Sequence, residues 1–233
     1  IQCVGSRNEE RPYCSKVCCT QAIKNALRIK KLSPKTQVFV LYRDIRSYGL
    51  FEEYYQKARE AGVLFIRYDA ETPPQVRKDD GDLVVTVAER AIGRDVQLKP
   101  DLLVLSSAVV PRATEELEEH FKIQTTAEGF FLEAHMKLRP VEFSTAGVYL
   151  AGLAHGPKPV DETIAQAAAA ASRAVTILSQ DMLEVGGVVS RVEPEKCAVC
   201  LCCVRACPYD VPKITEDSYA VIEEAECRGC GLC

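Results

Sequence analysis

Cys197, Cys200, Cys203 and Cys207 follow a C-x2-C-x2-C-x3-C pattern closed by Pro208, and a second run opens at Cys227, Cys230 and Cys233. Thiolates at this spacing hold cubane [4Fe–4S] clusters. Two intervening residues let a tight turn present successive sulfurs to neighbouring irons, while the longer gap and the proline carry the fourth cysteine to the other cluster. On that pattern Cys197, Cys200 and Cys203 are three ligands of one cluster, and Cys207, Cys227, Cys230 and Cys233 are the full set of another. The fourth ligand of the first is not found by Cys233, so a chain cut at that point is expected. A structural zinc site is the rival. Zinc ribbons also use C-x2-C pairs, but as two pairs across a longer loop, without a third cysteine three residues on. Cys202 fits neither pattern and reads as a buried thiol.

A second cysteine group lies at the start of the chain. Ile1-Gln2-Cys3-Val4 reads as a strand end and Gly5-Ser6-Arg7-Asn8 as a turn. Tyr13-Cys14-Ser15-Lys16-Val17-Cys18-Cys19 then runs into a helical pattern through Ala22, Ile23, Ala26, Leu27 and Ile29. On one helix Cys14 and Cys18 share a face at i, i+4, with Cys19 beside them. Three sulfurs at a helix start, with Cys3 brought alongside by the turn, suit a third cluster. A thiol–disulfide redox pair and buried structural cysteines stand as alternatives, although neighbours such as Cys18 and Cys19 rarely pair with each other.

These groups need elements to position them, and 233 residues supply enough for one large domain and one small one. The hydrophobic share of 47% and charged share of 27% are those of an ordinary globular protein. A net charge of −4 gives no electrostatic case for nucleic acid or an anionic membrane surface. Twelve cysteines in closely spaced runs within so large a chain favour metal or redox use in a reducing compartment over a secreted disulfide framework. No apolar run reaches the roughly 18 residues of a membrane helix.

Val38-Phe39-Val40-Leu41-Tyr42 is a continuous apolar run, as a buried parallel strand requires. A loop over 43–49 leads to a helix from Leu50 to Ala61, stopped by Gly62, and Val63-Leu64-Phe65-Ile66 is the next strand. That order implies a right-handed βαβ unit. Residues 73–81 read as an exposed turn region, 83–87 and 102–105 as strands, and 115–121 as a short surface helix. Gly147-Val148-Tyr149-Leu150-Ala151-Gly152 reads as a strand ending in glycine. It leads to a helix starting near Asp161, whose first turn holds Thr163, Ile164, Ala165 and Gln166. Free N–H groups at such a start suit an anion or a flavin's pyrimidine edge; an Ala-rich core helix with Asp161 as N-cap is the alternative. His120, His135 and His155 read as surface or loop residues without a catalytic role. No G-x-G-x-x-G occurs, so this stretch has no pyrophosphate loop of its own. With a start in mid-strand, that absence points to a missing N-terminal half.

Taken together these stretches resemble the A subunit of heterodisulfide reductase and its relatives, including flavin subunits of the quinone-interacting membrane-bound oxidoreductase. The likeness is carried by Gln2-Cys3-Val4-Gly5-Ser6-Arg7, Tyr13-Cys14-Ser15-Lys16-Val17-Cys18-Cys19, Leu41-Tyr42-Arg43-Asp44-Ile45-Arg46, residues 147–152 with Pro157-Lys158, Ala165-Gln166-Ala167 and the terminal cysteine run. It covers essentially the whole chain.

The resemblance implies an α/β fold. Residues 1–182 would be the C-terminal part of a thioredoxin-reductase-like FAD domain, and 183–233 a small α+β two-cluster ferredoxin-like domain, the chain being truncated at both ends. It implies that Cys3, Cys14, Cys18 and Cys19 ligate an atypical [4Fe–4S] cluster near the flavin, giving three clusters in this region. It implies flavin contacts at Gly152, Leu153, Thr163, Ile164 and Ala165, with Lys24, and more weakly Lys158, as a cation near the flavin. Two positions depart from thioredoxin-reductase-like proteins. Leu153 stands where Asp usually holds the ribityl chain, and Ser107-Ala108-Val109-Val110-Pro111 replaces Thr-Gly-x-x-Pro. The implied role is electron transfer between FAD and clusters in flavin-based bifurcation, linked to ferredoxin and to a heterodisulfide or related acceptor. No nucleophile or acid–base residue is required of the protein. Implied partners are B- and C-type subunits, ferredoxin and a hydrogenase or formate dehydrogenase donor, in a cytoplasmic complex compatible with a homodimer. The alternative is a flavin-inactive iron–sulfur relay protein.

Overall fold

The computed structural model describes residues 1–182 and 188–233, which form a mixture of helices and sheets. Two compact units are present: Ile1–Arg112 with Ala127–Phe130 and Ala151–Ala167, and Ala113–Thr126 with Phe131–Leu150 and Ala168–Cys233. The boundary expected at 182/183 abuts residues outside the described set. Among the described residues no helix is long and apolar enough to cross a membrane.

The first unit is built around strand β1 (Phe39–Tyr42), paired in parallel with β2 (Leu64–Arg67) in the register Phe39↔Leu64 to Tyr42↔Arg67. Side chains alternate across a strand, and both faces of β1 are covered. Val40 packs with Ile23, Ala26, Ala58 and Val63 from the helix side. Leu41 packs with Ile66, Tyr68, Val85 and Val87 from the opposite side. That double burial is why the run from Val38 to Tyr42 is continuously apolar. The helix side comes from α1 (Cys18–Leu32) and α2 (Glu52–Glu60). Cys19, Ile23 and Ala26 form the buried stripe of α1 at helical spacing, and Lys30 and Lys31 in its last turn suit the dipole. Ala58 is fully buried, and Gly62 ends α2 with φ 79°. The opposite side comes from an antiparallel sheet of β3 (Gln75–Asp79), β4 (Asp82–Glu89) and β5 (Arg94–Leu98), in the order β3-β4-β5.

Two expectations change here, and one strand goes unread. Residues 75–79 are a strand, not a turn region, joined to β4 by a tight turn at Asp80-Gly81; every β3 residue is exposed, so no apolar pattern marks it. β5 is similarly polar, with Val96 its central apolar residue. Residues 102–105 do not form a ladder strand. Instead the stretch 104–108 bonds to 1–4: Ile1 N to Val104 O, Ser106 N to Ile1 O, Val4 N to Ser106 O and Ala108 N to Val4 O. Gln2 N in turn donates to Leu41 O at 2.8 Å. Residues 1–4 thus lie beside β1, which brings Cys3 to the strand's end.

In the second unit the expected short helix is α3 (Glu115–Phe121), with Glu115, Glu116 and Glu118 in its first turn. Helix α4 (Val160–Leu178), whose residues are divided between the two units at Ala167/Ala168, has no buried residue, so the core-helix alternative does not hold. Asp161 is inside its first turn, not at its N-cap, because the helix already starts at Val160. The stretch 147–152 makes an isolated bridge, Glu142↔Tyr149, not a strand. Helix α5 (Cys202–Ala206) and the pair β6 (Lys213–Ile214) and β7 (Ala220–Val221) frame the terminal cysteines.

Glu142 is buried and clamped by two guanidinium groups, Arg173 Nε at 2.5 Å and Arg139 Nη2 at 2.8 Å. Arg173, and then Arg139, hold its carboxyl below the usual value of 4.5. A carboxylate with a depressed folded value stabilises above its unfolded value and loses that contribution as pH falls through the folded one. Glu142→Gln is therefore expected to cost about 1–2 kcal/mol at pH 7, the range for charge-assisted bonds between half-exposed partners. The gap between the two proteins in thermal melts is expected to shrink as pH falls below 4.5.

Candidate metal centres

The strand end and the helix start meet at the first cysteine group. Cys3 adopts a left-handed conformation, φ 59°, just after the residues beside β1. Cys18 and Cys19 open α1 at 8% and 2% exposure. Cys14 is not on the helix, contrary to the expected i, i+4 pairing. Lys16 at φ 56° breaks the helical path, and Ser15 is buried with its hydroxyl accepting the Val109 N–H at 3.0 Å. Tyr13 reinforces this turn, donating to Val109 O at 3.0 Å and meeting Phe130 edge-on.

The four thiols nevertheless share one electrostatic environment. Cys18 hydrogen-bonds Cys19, and this contact raises Cys18 above the ordinary thiol range while lowering Cys19 to about 6. The Arg46 backbone N–H and the charges of Arg46 and Arg7 add to the lowering of Cys19. Burial raises Cys3; Arg7 opposes that, and negative charge on Cys19 and Cys14 adds to it. The Cys14 sulfur accepts the Lys16 N–H at 3.3 Å.

The loop after β1 surrounds this group with charge. Arg7 Nη2 binds Asp44 Oδ2 at 2.7 Å, and Arg67 and Arg46 approach the same carboxylate at 3.5 and 3.9 Å. The Arg43 side chain donates to Arg7 O at 2.7 Å. Sequence reasoning assigns none of these residues a role. Their signal is a charged Arg43-Asp44-Ile45-Arg46 loop leaving a strand buried on both faces. The same loop reaches α4, where Tyr48 donates to Glu162 Oε1 at 2.5 Å. Lys16, Ile45, Arg46, Ser47, Tyr48 and Glu52 line an open depression beside it.

At the start of α4 the Gly152 N–H donates to Gln166 Oε1 at 2.9 Å, and Lys158 Nζ donates to Gly152 O at 2.9 Å. His155 is half-buried, its Nδ1 within 3.1 Å of Lys158 and 2.8 Å of Gln166. Leu153 and Ile164 are 51% and 64% exposed, Ala165 is exposed and Thr163 half-buried. Lys24 is on the exposed side of α1.

In the terminal run, Cys207, Cys227, Cys230 and Cys233 line a single cavity, with Tyr209, Val211, Pro212, Ile222 and Leu232 as its apolar walls. Cys227 is lowered by the backbone N–H groups of Ser190 and Gly229, and Cys233 Sγ is 3.2 Å from Ser190 Oγ. Cys197 Sγ accepts the Ala220 N–H at 3.3 Å. Val199 and Leu201 are left-handed, at φ 50° and 64°, turning the chain between Cys197, Cys200 and Cys203. Such a conformation is strained for a β-branched residue. Cys202 is exposed, not buried, because it opens α5 with its sulfur turned toward Cys200 O. Among the described residues no three His, Cys, Asp or Glu side chains converge on a single-ion position.

No family model matches the chain. Curated relatives do. The chain is 40% identical over 223 residues, 93% of its length, to the A2 iron-sulfur subunit of the CoB–CoM heterodisulfide reductase of Methanopyrus kandleri. It is 39% identical over 93% of its length to the A subunit of the H2:CoB-CoM heterodisulfide,ferredoxin reductase of Methanothermobacter thermautotrophicus. It is 37% identical over 96% to the iron-sulfur A subunit of the CoB–CoM heterodisulfide reductase of Methanocaldococcus jannaschii. Its kin are thus iron–sulfur oxidoreductase subunits. Over nearly its whole length the chain is similar to A subunits of heterodisulfide reductase, and it spans about a third of these relatives' length, 33–35% in these three.

Gly229 tests how tightly the terminal cavity is built. It has φ 59°, and an added Cβ would stand 2.7 Å from Val188 O, a backbone atom. Gly229→Ala is therefore expected to lower iron and acid-labile sulfide in anaerobically purified protein, with the change read against Gly93→Ala, where a Cβ meets nothing within 4 Å.

Proposed function

We propose that this chain is the cluster-bearing part of an electron-transfer subunit. Cys3, Cys14, Cys18 and Cys19 hold one [4Fe–4S] cluster. Cys207, Cys227, Cys230 and Cys233 hold a second, and Cys197, Cys200 and Cys203 supply three ligands of a third. The observation that carries the proposal is the grouping of the four N-terminal thiols at one strand end, within reach of each other's charge. An all-thiolate donor set suits iron–sulfur clusters. A cubane takes each thiolate on a separate iron, whereas zinc needs four donors within about 2.0–2.3 Å of one centre.

On this proposal 1–182 forms part of a flavoprotein domain and 183–233 a ferredoxin-like module. FAD, when bound, supplies two-electron chemistry that can be divided between one-electron carriers. Exposed Leu153, Ile164 and Ala165, with Gly152 and Thr163, offer it an apolar bed at the start of α4. Lys158, fixed on Gly152 O, and the more distant Lys24 are the cations for its charged edge. The 43–48 loop touches both this region and Cys19, which supports a short route between flavin and cluster. By analogy with the relatives' names, the electrons pass between ferredoxin, a heterodisulfide or related disulfide, and a hydrogen- or formate-oxidising partner; on the family resemblance, B- and C-type subunits complete the complex. Flavin-based bifurcation is the corresponding mechanism.

A relay without flavin has one observation in its favour: both backbone groups of Gly152 are already engaged, by Gln166 and Lys158. Flavin released by acid from the anaerobically purified full-length protein separates the two. The flavoprotein proposal predicts about one FAD per chain, lost together with the flavin spectrum in Gly152→Val. Iron without flavin would leave the relay.

A further inference from the structure

Arg7 occupies an unusual position in the first cysteine group. It is left-handed, at φ 58°, and its side chain is only 17% exposed. Its Nη1 is 4.0 Å from Cys3 Sγ, while its Nη2 is held by Asp44 at 2.7 Å. Its backbone is fixed on both sides, by its own N–H to Tyr13 O at 3.1 Å and by the Arg43 side chain on its carbonyl at 2.7 Å. Arg43 is itself fixed, because its carbonyl accepts Arg67 Nε at 3.0 Å. A surface arginine holding an exposed carboxylate needs none of this. The arrangement fixes a cation against one sulfur and leaves Asp44, among three arginines, as the brace.

We propose that Arg7 is a positioning residue that sets the reduction potential of the cluster held by Cys3, Cys14, Cys18 and Cys19, with Asp44 orienting it. The inference rests on the ligand assignment proposed above. Reduction adds one electron, drawn from a mediator dye poised by dithionite, and no bond or proton changes place. The added electron makes the cluster and its thiolates one charge more negative. A fixed guanidinium beside Cys3 favours that more negative form, so it raises the potential. Half-burial keeps the charge from being fully screened.

The test is a dye-mediated potentiometric titration followed by electron paramagnetic resonance on the anaerobically purified, iron-loaded protein. The signal of this cluster is the one that a Cys18→Ala, Cys19→Ala variant removes. In Arg7→Gln, with iron and sulfide unchanged, that signal is expected to become about tenfold harder to reduce, a fall of about 59 mV for one electron. Arg7→Lys, which keeps the charge, is expected to recover most of the shift, and the other signals are expected to stay in place. An unchanged potential in Arg7→Gln overturns the inference. So does loss of iron and sulfide in Arg7→Gln and Arg7→Lys alike, which would make the arginine a structural support. If the double cysteine variant removes no signal and no iron, the ligand assignment itself fails, and this outcome is separate from the other two.

Discussion

The first unit depends on a strand buried on both faces. β1 presents Val40 to the helices and Leu41 to the antiparallel sheet, so neither its register nor its direction can slip without exposing one of two apolar clusters. Residues 1–4 lie on its free side and α1 covers its helix face. Cys3 is therefore delivered to the same end of the strand as Cys18 and Cys19. The loop that leaves that end then meets the sulfurs through the Arg46 N–H and, by way of Asp44, through Arg7. Packing of apolar residues fixes where the thiols are, and charge from one loop fixes what they experience.

The two cysteine regions are built differently. The first borrows its sulfurs from separated segments and encloses them with side-chain cations. The terminal one draws them from a short stretch and relies on backbone geometry. Left-handed Val199 and Leu201 turn the chain, Gly229 passes against Val188 O, and the N–H groups of Ala220, Ser190 and Gly229 face sulfur. Side-chain charge is easily altered by substitution. Backbone N–H groups are not, so the two kinds of site differ in how readily their electrostatics can be tuned.

Much of this is legible in the residues, for identifiable reasons. β1, β2, β4, α2 and α3 announce themselves through apolar runs or helical spacing, because their side chains meet a core or a clear solvent face. β3 does not, since all its residues are exposed, and neither does β5, where only Val96 and Leu98 reach the core between exposed Arg94, Asp95 and Gln97, although Asp80-Gly81 is a hairpin signal. The terminal cysteine spacing is local and readable directly; Cys207, Cys227, Cys230 and Cys233 do share one cavity. The N-terminal group is assembled by tertiary structure. Its members are recognisable, but the turn at Lys16 that takes Cys14 off the helix is not, because a lysine gives no hint of positive φ. The Asp44 network is hidden for a related reason: its partners, Arg7, Arg46 and Arg67, come from three segments. Cys202 looks like a buried thiol only because burial is the usual state of a free cysteine.

The central claim is that Cys3, Cys14, Cys18 and Cys19 form one iron–sulfur site. Counting iron, acid-labile sulfide and zinc in anaerobically purified protein, before and after replacing Cys18 and Cys19 with alanine, tests it most directly. The account predicts a loss of about four irons and four sulfides per chain, with negligible zinc in either sample. Unchanged iron and sulfide after the replacement, or zinc in their place beforehand, would contradict it.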